Sequence, residues 1–303
     1  MCDGGSSASV RLALEAMGAR FELVIPCGGD LCDPRTARGA GEEALSLVSE
    51  WHDRLSAFDP DSLVSRLNSG AREAPVRVDP ELFDLLEAAE RIRGQSEGAF
   101  DVGVGGVMRS HGFRPGGTGE TAGGEAVQGE ITLDRGARTV RLVGGAEIDL
   151  GGIAKGGAID GAMALLREAG VRSALMHGGT STIAGMGAPP GAGAWTVRLG
   201  EGGEAPRVHL RDRSVSFSSS RPGGVEHVMD PRTGEPVAGV LAGACVGASA
   251  LQTDAWATAL MVRGERPQAM PGDLTSLLHT PGGWRIEGPD QGRIELGTQE
   301  VCL

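Results

Sequence analysis

Strand-like and helix-like segments follow one another irregularly along this chain, with hairpin patterns interspersed. Alternating apolar residues at 18–26 predict a strand, and apolar residues at helical spacing in 37–55 predict an amphipathic helix. Two alternating runs around Asp134-Arg135-Gly136 predict a hairpin. A regular series of strand–helix–strand units would favour a doubly wound parallel sheet, whereas this irregular order favours an α+β or mixed α/β fold.

Several other segments have recognisable boundaries. Asp79 and Pro80 are typical of an N-cap and a first helical position, which predicts a helix over 79–96. A short helix restarts near Ser62, and glycine-rich segments at 98–108 and 114–129 have the composition of loops. The remaining predicted elements are a helix that closes at Gly170, strands at 172–179, 195–200, 206–217 and 240–248, and a helix at 251–263.

Length and charge limit the classes of protein and partner. A chain of 303 residues can bury a large core, and the absence of a fixed-period repeat or a long linker predicts one domain over 1–303. The net charge of −12 repels nucleic acid and anionic membranes, so neither is an expected partner. Five widely scattered cysteines, an odd number, do not suggest a disulfide framework.

The sequence also bears on membranes and localisation. No apolar run approaches the roughly 20 residues of a transmembrane helix. The N-terminal segment has no basic region followed by an apolar stretch, so no signal peptide is predicted. The chain as written is therefore expected to be cytoplasmic and to lack a transmembrane segment.

A glycine-rich turn follows a predicted strand that ends at Asp149. Gly151 and Gly152 allow the backbone to approach a ligand closely, and a helix begins just after them. Free N–H groups at a helix start, together with the Lys155 ammonium, would form a seat for phosphate. An ordinary strand-to-helix turn is the alternative, because the spacing matches neither a Walker loop nor a dinucleotide fingerprint.

A carboxylate and a hydroxyl share one face of the predicted helix at 251–263. Asp254 and Thr258 are four residues apart, and such residues lie one above the other on a helix. Oxygen ligands of this kind suit a hard cation such as Mg²⁺. The alternative is that Asp254 caps the helix and Thr258 packs in the core.

Two further segments contain groups that could act on a ligand. His227 precedes a tight turn at Asp230–Gly234 and could carry a proton or orient a ligand, or it could be an ordinary histidine beside a turn. Phe100 and Asp101 lie among glycines, where an aromatic ring and a carboxylate could hold a flat ligand ring. A flexible glycine loop is the alternative for that segment.

In combination and in this order, these segments resemble the ApbE-type FAD:protein FMN transferases, a family of flavin transferases. The resemblance covers about 17–264. It is carried by Met17-Gly18, LSAFDPDSLVSRLN at 55–68, GAFDVGVGGV at 98–107, IDLGGIAKGGAID at 148–160, Gly178-Gly179, EHVMDPRTGEP at 226–236 and TDAWATAL at 253–260.

The resemblance implies an α+β, T-fold-like architecture with mixed sheets, flanking helices and a cleft between two lobes. FAD is the implied substrate, Mg²⁺ the implied cofactor, and a protein with a modifiable Ser or Thr the implied acceptor of FMN. Many relatives are exported. The implied FAD-binding residues are Met17, Ala57, Phe58, Ala99, Phe100, Asp101, Asp149, Lys155 and Met229. The implied metal ligands are the Gly152 carbonyl, Asp254 and Thr258, and the implied catalytic residues are His227 and Asp254.

Three positions depart from the family pattern. Thr180 stands where the family usually has Asp after the glycine pair, Phe217 begins a segment that is usually Thr-Ser-Gly, and Gly157 replaces an aromatic residue. Because these changes surround the expected flavin and acceptor region, two alternatives to FMN transfer remain. One is hydrolysis of FAD to FMN and AMP, and the other is a non-catalytic FAD-binding or carrier protein.

Overall fold

The structure, a computed structural model, describes residues 8–114, 117, 129–200, 205–219 and 228–297. Its helices are α1 (Pro34–Leu55), α2 (Leu63–Gly70), α3 (Pro80–Gln95), α4 (Gly105–Ser110), α5 (Ala154–Glu168) and α6 (Ala250–Arg263). Its strands are β1 (Ser9–Ala16), β2 (Ala19–Pro26), β3 (Val76–Arg77), β4 (Glu130–Asp134), β5 (Thr139–Val143), β6 (Ala174–Gly178), β7 (Thr182–Met186), β8 (Trp195–Arg198), β9 (Arg207–Leu210), β10 (Arg213–Ser219), β11 (Ala242–Gly247), β12 (Thr275–Thr280), β13 (Gly283–Glu287) and β14 (Ile294–Glu295).

An eight-stranded sheet organises the fold. Its order is β1-β2-β6-β7-β10-β11-β12-β13, and each neighbouring pair is antiparallel. Helix α6 packs on β10 and β11 and also contacts α5, which in turn contacts α1. The large core cluster joins these helices to the sheet, with Phe21, Leu23 and Trp256 fully buried.

Strand β10 faces two different environments because side chains alternate along a strand. Ser214 and Ser216 are buried against α6, whereas Val215 belongs to a second apolar cluster with Val208 and Leu210. The latter two belong to β9 of a small sheet, β14-β9-β8. The central sheet is therefore covered by helices on one face and partly by this small sheet on the other. A third sheet has the order β3-β5-β4.

The α+β prediction is confirmed. The predicted helix over 79–96 is α3, and Asp79 accepts a hydrogen bond from the Leu82 N–H as its N-cap. The single strand predicted over 206–217 is wrong, because a turn at Arg211-Asp212, with Asp212 at φ 53°, separates β9 from β10. The glycine-rich segment 98–108 is also not wholly a loop, since α4 begins at Gly105. None of the helices in the described part of the chain is long and apolar enough to cross a membrane.

Candidate functional site

The turn between Asp149 and α5 is held by a buried carboxylate. Asp149 accepts hydrogen bonds from the Gly151 N–H at 2.8 Å and from Arg114 Nε at 2.6 Å. Its own backbone N–H donates to the Val102 carbonyl, which ties the turn to the glycine-rich segment. Lys155 Nζ donates to the Gly151 carbonyl at 3.1 Å. Two cationic side chains, Arg114 and Lys155, therefore flank this turn.

The side chain of Asp254 is fixed by neighbouring elements and not by its own helix. Its Oδ2 accepts a hydrogen bond from the Gly156 N–H at 3.0 Å, and its Oδ1 accepts one from Thr182 Oγ1 at 2.9 Å. The N-cap of α6 is Ser249, so the alternative that Asp254 caps this helix is excluded. The Asp254 carboxylate also lines a pocket, described below, where it can contact a ligand.

The glycine turn and α6 meet at Gly152. A Cβ atom placed on Gly152 would lie 3.5 Å from Thr258 Oγ1 and 3.2 Å from the Phe100 ring. Thr258 is one turn beyond Asp254 and also lines the same pocket. The structure thus brings together the three residues implied as metal ligands.

The available donors fit Mg²⁺. Within the described ranges, no three His, Cys, Asp or Glu side chains form a group that could hold a metal. Asp254 and Thr258, with a carboxylate and a hydroxyl, instead line the pocket together with Gly152, whose backbone carbonyl is a further oxygen donor, beside the cationic turn. Mg²⁺ commonly binds through one or two carboxylates and the phosphates of a substrate, so this oxygen-only set suits it.

The glycine-rich segment supplies an aromatic ring and an acidic group. Ala99 and Phe100 are buried, and Asp101 accepts a hydrogen bond from the Gly103 N–H at 2.6 Å. Burial raises the pKa of the Asp101 carboxyl, against the opposing effects of that hydrogen bond and of the Arg93 charge. The carboxyl group of Asp101, which lies beside the pocket, is therefore only partly hydrated.

All these groups line one pocket of about 1660 Å³. Of the residues implied by the resemblance, those in its wall are Ala99, Phe100, Asp101, Asp149, Gly152, Lys155, Met229, Asp254 and Thr258. The departures Thr180 and Phe217 also line it. At the third departure, the Trp51 ring fills the space, since a Cβ on Gly157 would lie 2.5 Å from Trp51 Cζ3.

Three implied residues lie outside the pocket wall. Met17 occupies the β1–β2 turn, and its backbone N–H donates to His52 Nδ1 at 3.2 Å. Ala57 is half-buried, and the neighbouring Phe58 is 61% exposed. The Arg114 guanidinium carbon lies 4.7 Å from the Phe58 ring centroid, which connects Phe58 indirectly with Asp149. His227, the implied proton carrier, lies outside the described residues.

The sequence did not predict several residues that line the pocket, such as Arg114, or Thr182, which lies behind the pocket and contacts Asp254. Arg114 pairs with a carboxylate 35 positions away, and Thr182 with one 72 positions away. His279 and Trp284 stack with ring centroids 4.6 Å apart and line the pocket from the β12–β13 hairpin. Among these residues, only His279 and Trp284 could have been predicted, because Pro281-Gly282 between them is typical of a hairpin turn.

Comparisons with known proteins identify the family of this chain. A sequence profile of the ApbE family matches residues 17–270. The chain is 31% identical over 247 residues to an FAD:protein FMN transferase of Rhodobacter capsulatus, covering 74% of this chain and 46% of that protein. It thus spans about half the length of that relative. An FAD:protein FMN transferase of Vibrio cholerae is 26% identical over 294 residues, covering 84% of this chain and 82% of the relative.

The fold is shared with solved structures. The ApbE protein of Thermotoga maritima superposes with a TM-score of 0.78 at 24% identity, covering 94% of this chain and 98% of the other. The flavin transferase ApbE of Vibrio cholerae gives 0.76 at 23% identity, covering 93% and 97%. The expected ApbE-like α+β architecture is thereby confirmed. Since the family profile covers most of the chain and the fold agrees, this protein belongs to the ApbE family.

Proposed function

We propose that this protein transfers FMN from FAD to a Ser or Thr hydroxyl of an acceptor protein and releases AMP. One observation carries the proposal: Asp254, Thr258 and the Gly152 turn meet in a single pocket that also contains Lys155 and Asp101. Its volume, about 1660 Å³, is ample for a dinucleotide. The names of the relatives, FAD:protein FMN transferase, support the same reaction.

We infer that the cation is Mg²⁺, held by the Asp254 carboxylate, the Thr258 hydroxyl and the Gly152 carbonyl. When bound, it supplies positive charge that neutralises phosphate oxygens. The chain adds its own cations at the same turn, because Lys155 and Arg114 flank Gly151. These side chains would bind the pyrophosphate and stabilise the negative charge that develops on the leaving AMP phosphate.

The transfer itself exchanges one phosphorus–oxygen bond for another. The acceptor hydroxyl oxygen attacks the FMN phosphorus, the bond from that phosphorus to the bridging oxygen breaks, and AMP leaves with the bridging oxygen. The hydroxyl proton passes to a base, for which we propose His227. Phe100 and Asp101 would hold the adenosine end of FAD, with Ala99 beside them.

Incubation with FAD, MgCl₂ and a lysate of the source cells tests the reaction. Intact-protein and peptide mass spectrometry would detect an FMN phosphoryl group added to Ser or Thr, and chromatography would detect AMP. An adduct with equimolar AMP supports transfer. Free FMN and AMP without any adduct would establish the hydrolytic alternative, and FAD bound unchanged would establish a carrier.

Asp254→Asn is expected to abolish most activity. The amide keeps the shape of the side chain but removes its charge, so cation binding should weaken and transfer should fall by about 100-fold or more, equivalent to about 2.7 kcal/mol. Asp134→Asn is the matched control, because Asp134 accepts a hydrogen bond from the Ala137 N–H in the β4–β5 turn, away from the pocket. Full transfer activity in Asp254→Asn would contradict the proposed cation site.

A further inference from the structure

A row of buried hydroxyl groups lies behind Asp254, between α6 and the central sheet. Thr182 on β7 donates to Asp254 Oδ1 at 2.9 Å, and Ser216 Oγ on β10 is 3.4 Å from Thr182 Oγ1. Ser216 Oγ also lies 2.9 Å from Thr253 Oγ1, which is 3.3 Å from Ser214 Oγ. All four of these side chains are at most 1% exposed.

Three of these hydroxyl groups, those of Thr253, Ser216 and Thr182, can donate one after another toward the carboxylate. A carboxylate only accepts hydrogen bonds, so Thr182 must donate to Asp254 and its oxygen is left to accept from Ser216. Ser216 can in turn accept from Thr253. Ser214 lies outside this aligned series, because it donates to the Gly247 carbonyl and can only accept from Thr253. Hydrogen bonds aligned in one direction polarise one another, so the last bond, to Asp254, is strengthened.

The row of hydroxyl groups matters because the backbone of an aspartate does not fix the direction of its carboxylate oxygens. Rotation of the carboxylate about its last torsion is broad, so local backbone geometry does not set the direction of its oxygens. Two contacts from different elements set it here: the Gly156 N–H of α5 holds Oδ2, and Thr182 of β7 holds Oδ1. Each oxygen keeps a second lone pair for a ligand in the pocket.

We propose that Thr182 is a positioning residue that holds the Asp254 carboxylate ready to bind the divalent cation. The inference rests on the proposed function, in which Asp254 is a ligand of that cation. Partners that orient a metal ligand typically contribute 10- to 100-fold to metal affinity, roughly the range expected for Thr182. Ser216 and Thr253 hold Thr182 in turn and should contribute less.

Direct metal binding tests this role independently of turnover. Mn²⁺ serves as the probe, and its dissociation constant is measured by electron paramagnetic resonance with saturating FAD and no acceptor. Thr182→Val should raise that constant by about 10- to 100-fold. Thr182→Ser keeps the hydroxyl and should stay within about threefold of wild type. At saturating metal the transfer rate of Thr182→Val should recover, whereas general damage would lower it at every metal concentration.

Thr275→Val is the matched control. Thr275 is also fully buried and accepts a hydrogen bond from the Asp290 N–H, but it does not contact Asp254. It should lose thermal stability while its Mn²⁺ affinity stays at the wild-type value. If Thr182→Val fails to fold by circular dichroism, Ser216→Ala replaces it and should raise the Mn²⁺ constant by about threefold.

The outcomes separate the two proposals. Wild-type Mn²⁺ affinity in folded Thr182→Val, or in Ser216→Ala where that variant replaces it, would overturn the positioning role and leave the proposed function standing. If the wild-type protein itself binds no Mn²⁺, the metal part of the proposed function fails, and the positioning role fails with it.

Discussion

Asp101 is a pocket residue that is proposed to bind FAD, while burial of its ionised carboxyl group lowers the stability of the fold. Its carboxyl is shielded from water, and burial raises its pKa above the usual value despite the Gly103 N–H and the Arg93 charge. The folded protein therefore takes up this proton more readily than the unfolded chain. Wild-type stability should decline as the pH rises from the unfolded pKa, about 3.9, through the higher folded pKa.

Asp101→Asn should therefore stabilise the protein near neutral pH. The amide oxygen can keep the hydrogen bond from Gly103, and no charge needs to be buried. The gain in melting temperature over wild type should be largest at pH 7 and should shrink as the pH falls through the unfolded pKa of about 3.9, below which the aspartic acid is mostly protonated in both states. Melting curves between pH 3.5 and 8 would show this trend.

Asp79→Asn provides a control of opposite sign. Although burial acts to raise the pKa of Asp79, hydrogen bonds from Leu82 N–H and Arg54 lower it overall. Asp79 thus stabilises the fold above its unfolded pKa, and this contribution is lost as the pH falls. Asn can still cap α3 but loses the attraction to Arg54, so stability at pH 7 should decrease. A similar shift in both variants would contradict the assignment for Asp101.

For individual residues, the sequence predicted interactions only between partners that are close along the chain. Asp254 and Thr258 could be paired because helical spacing alone places them on one face. Arg114 and Thr182 could not, since their partners are distant in sequence and meet only after the strands have paired. A lone Arg or Thr has no local signature that distinguishes it from a surface or core residue.

The crossing of two helices determines the geometry around the proposed cation site. A Cβ atom on Gly156 would lie 2.2 Å from the Ala250 carbonyl oxygen and 2.7 Å from Leu251 Cα. Because these are backbone atoms, no side chain can move aside to make room. Helices α5 and α6 can therefore approach closely enough for the Gly156 N–H to reach Asp254 only with glycine at this position.

Gly156→Ala should consequently push α5 and α6 apart. We expect a loss of about 1–3 kcal/mol in the free energy of unfolding, as for other overpacked cores, together with weaker Mn²⁺ binding. Gly39→Ala is the control, because Gly39 lies exposed in α1 and a Cβ atom there would have nothing within 4 Å. It should be stabilising by about 0.4–1 kcal/mol. Chemical denaturation of both variants would measure the contrast, and equal stability would contradict the crowding argument.

Helices and local hairpins were the predictable elements. Capping residues marked α3, and the turn at Asp134-Arg135-Gly136 marked the β4–β5 hairpin. Strand β1 was not predicted although Val10, Leu12 and Leu14 alternate with exposed residues. The order of the eight-stranded sheet was beyond reach, because pairings such as β2 with β6 join segments separated by most of the N-terminal half.

On the scale of the whole molecule, Lys155 is the only lysine among 303 residues, all other basic side chains being Arg or His. An amine-reactive acetylating ester can therefore modify only this side chain and the N-terminal amine. If Lys155 binds the pyrophosphate, FAD with Mg²⁺ should slow its acetylation by about tenfold, as occupancy above 90% requires. Peptide mass spectrometry would follow both sites, and the N-terminal amine is the internal control.

Lys155→Arg completes that experiment. The variant retains a positive charge, should show labelling only at the N-terminus, and should keep part of its affinity for FAD. Acetylation of wild-type Lys155 at the same rate with and without FAD and Mg²⁺ would contradict its proposed contact with the substrate.

The pocket wall draws on chain segments from Ala99 to Trp284, and the β12–β13 hairpin supplies its last members. During synthesis, the residues proposed to bind the cation leave the ribosome before this hairpin exists. A nascent chain therefore cannot use the finished pocket, and flavin cannot assist folding until translation has passed position 284.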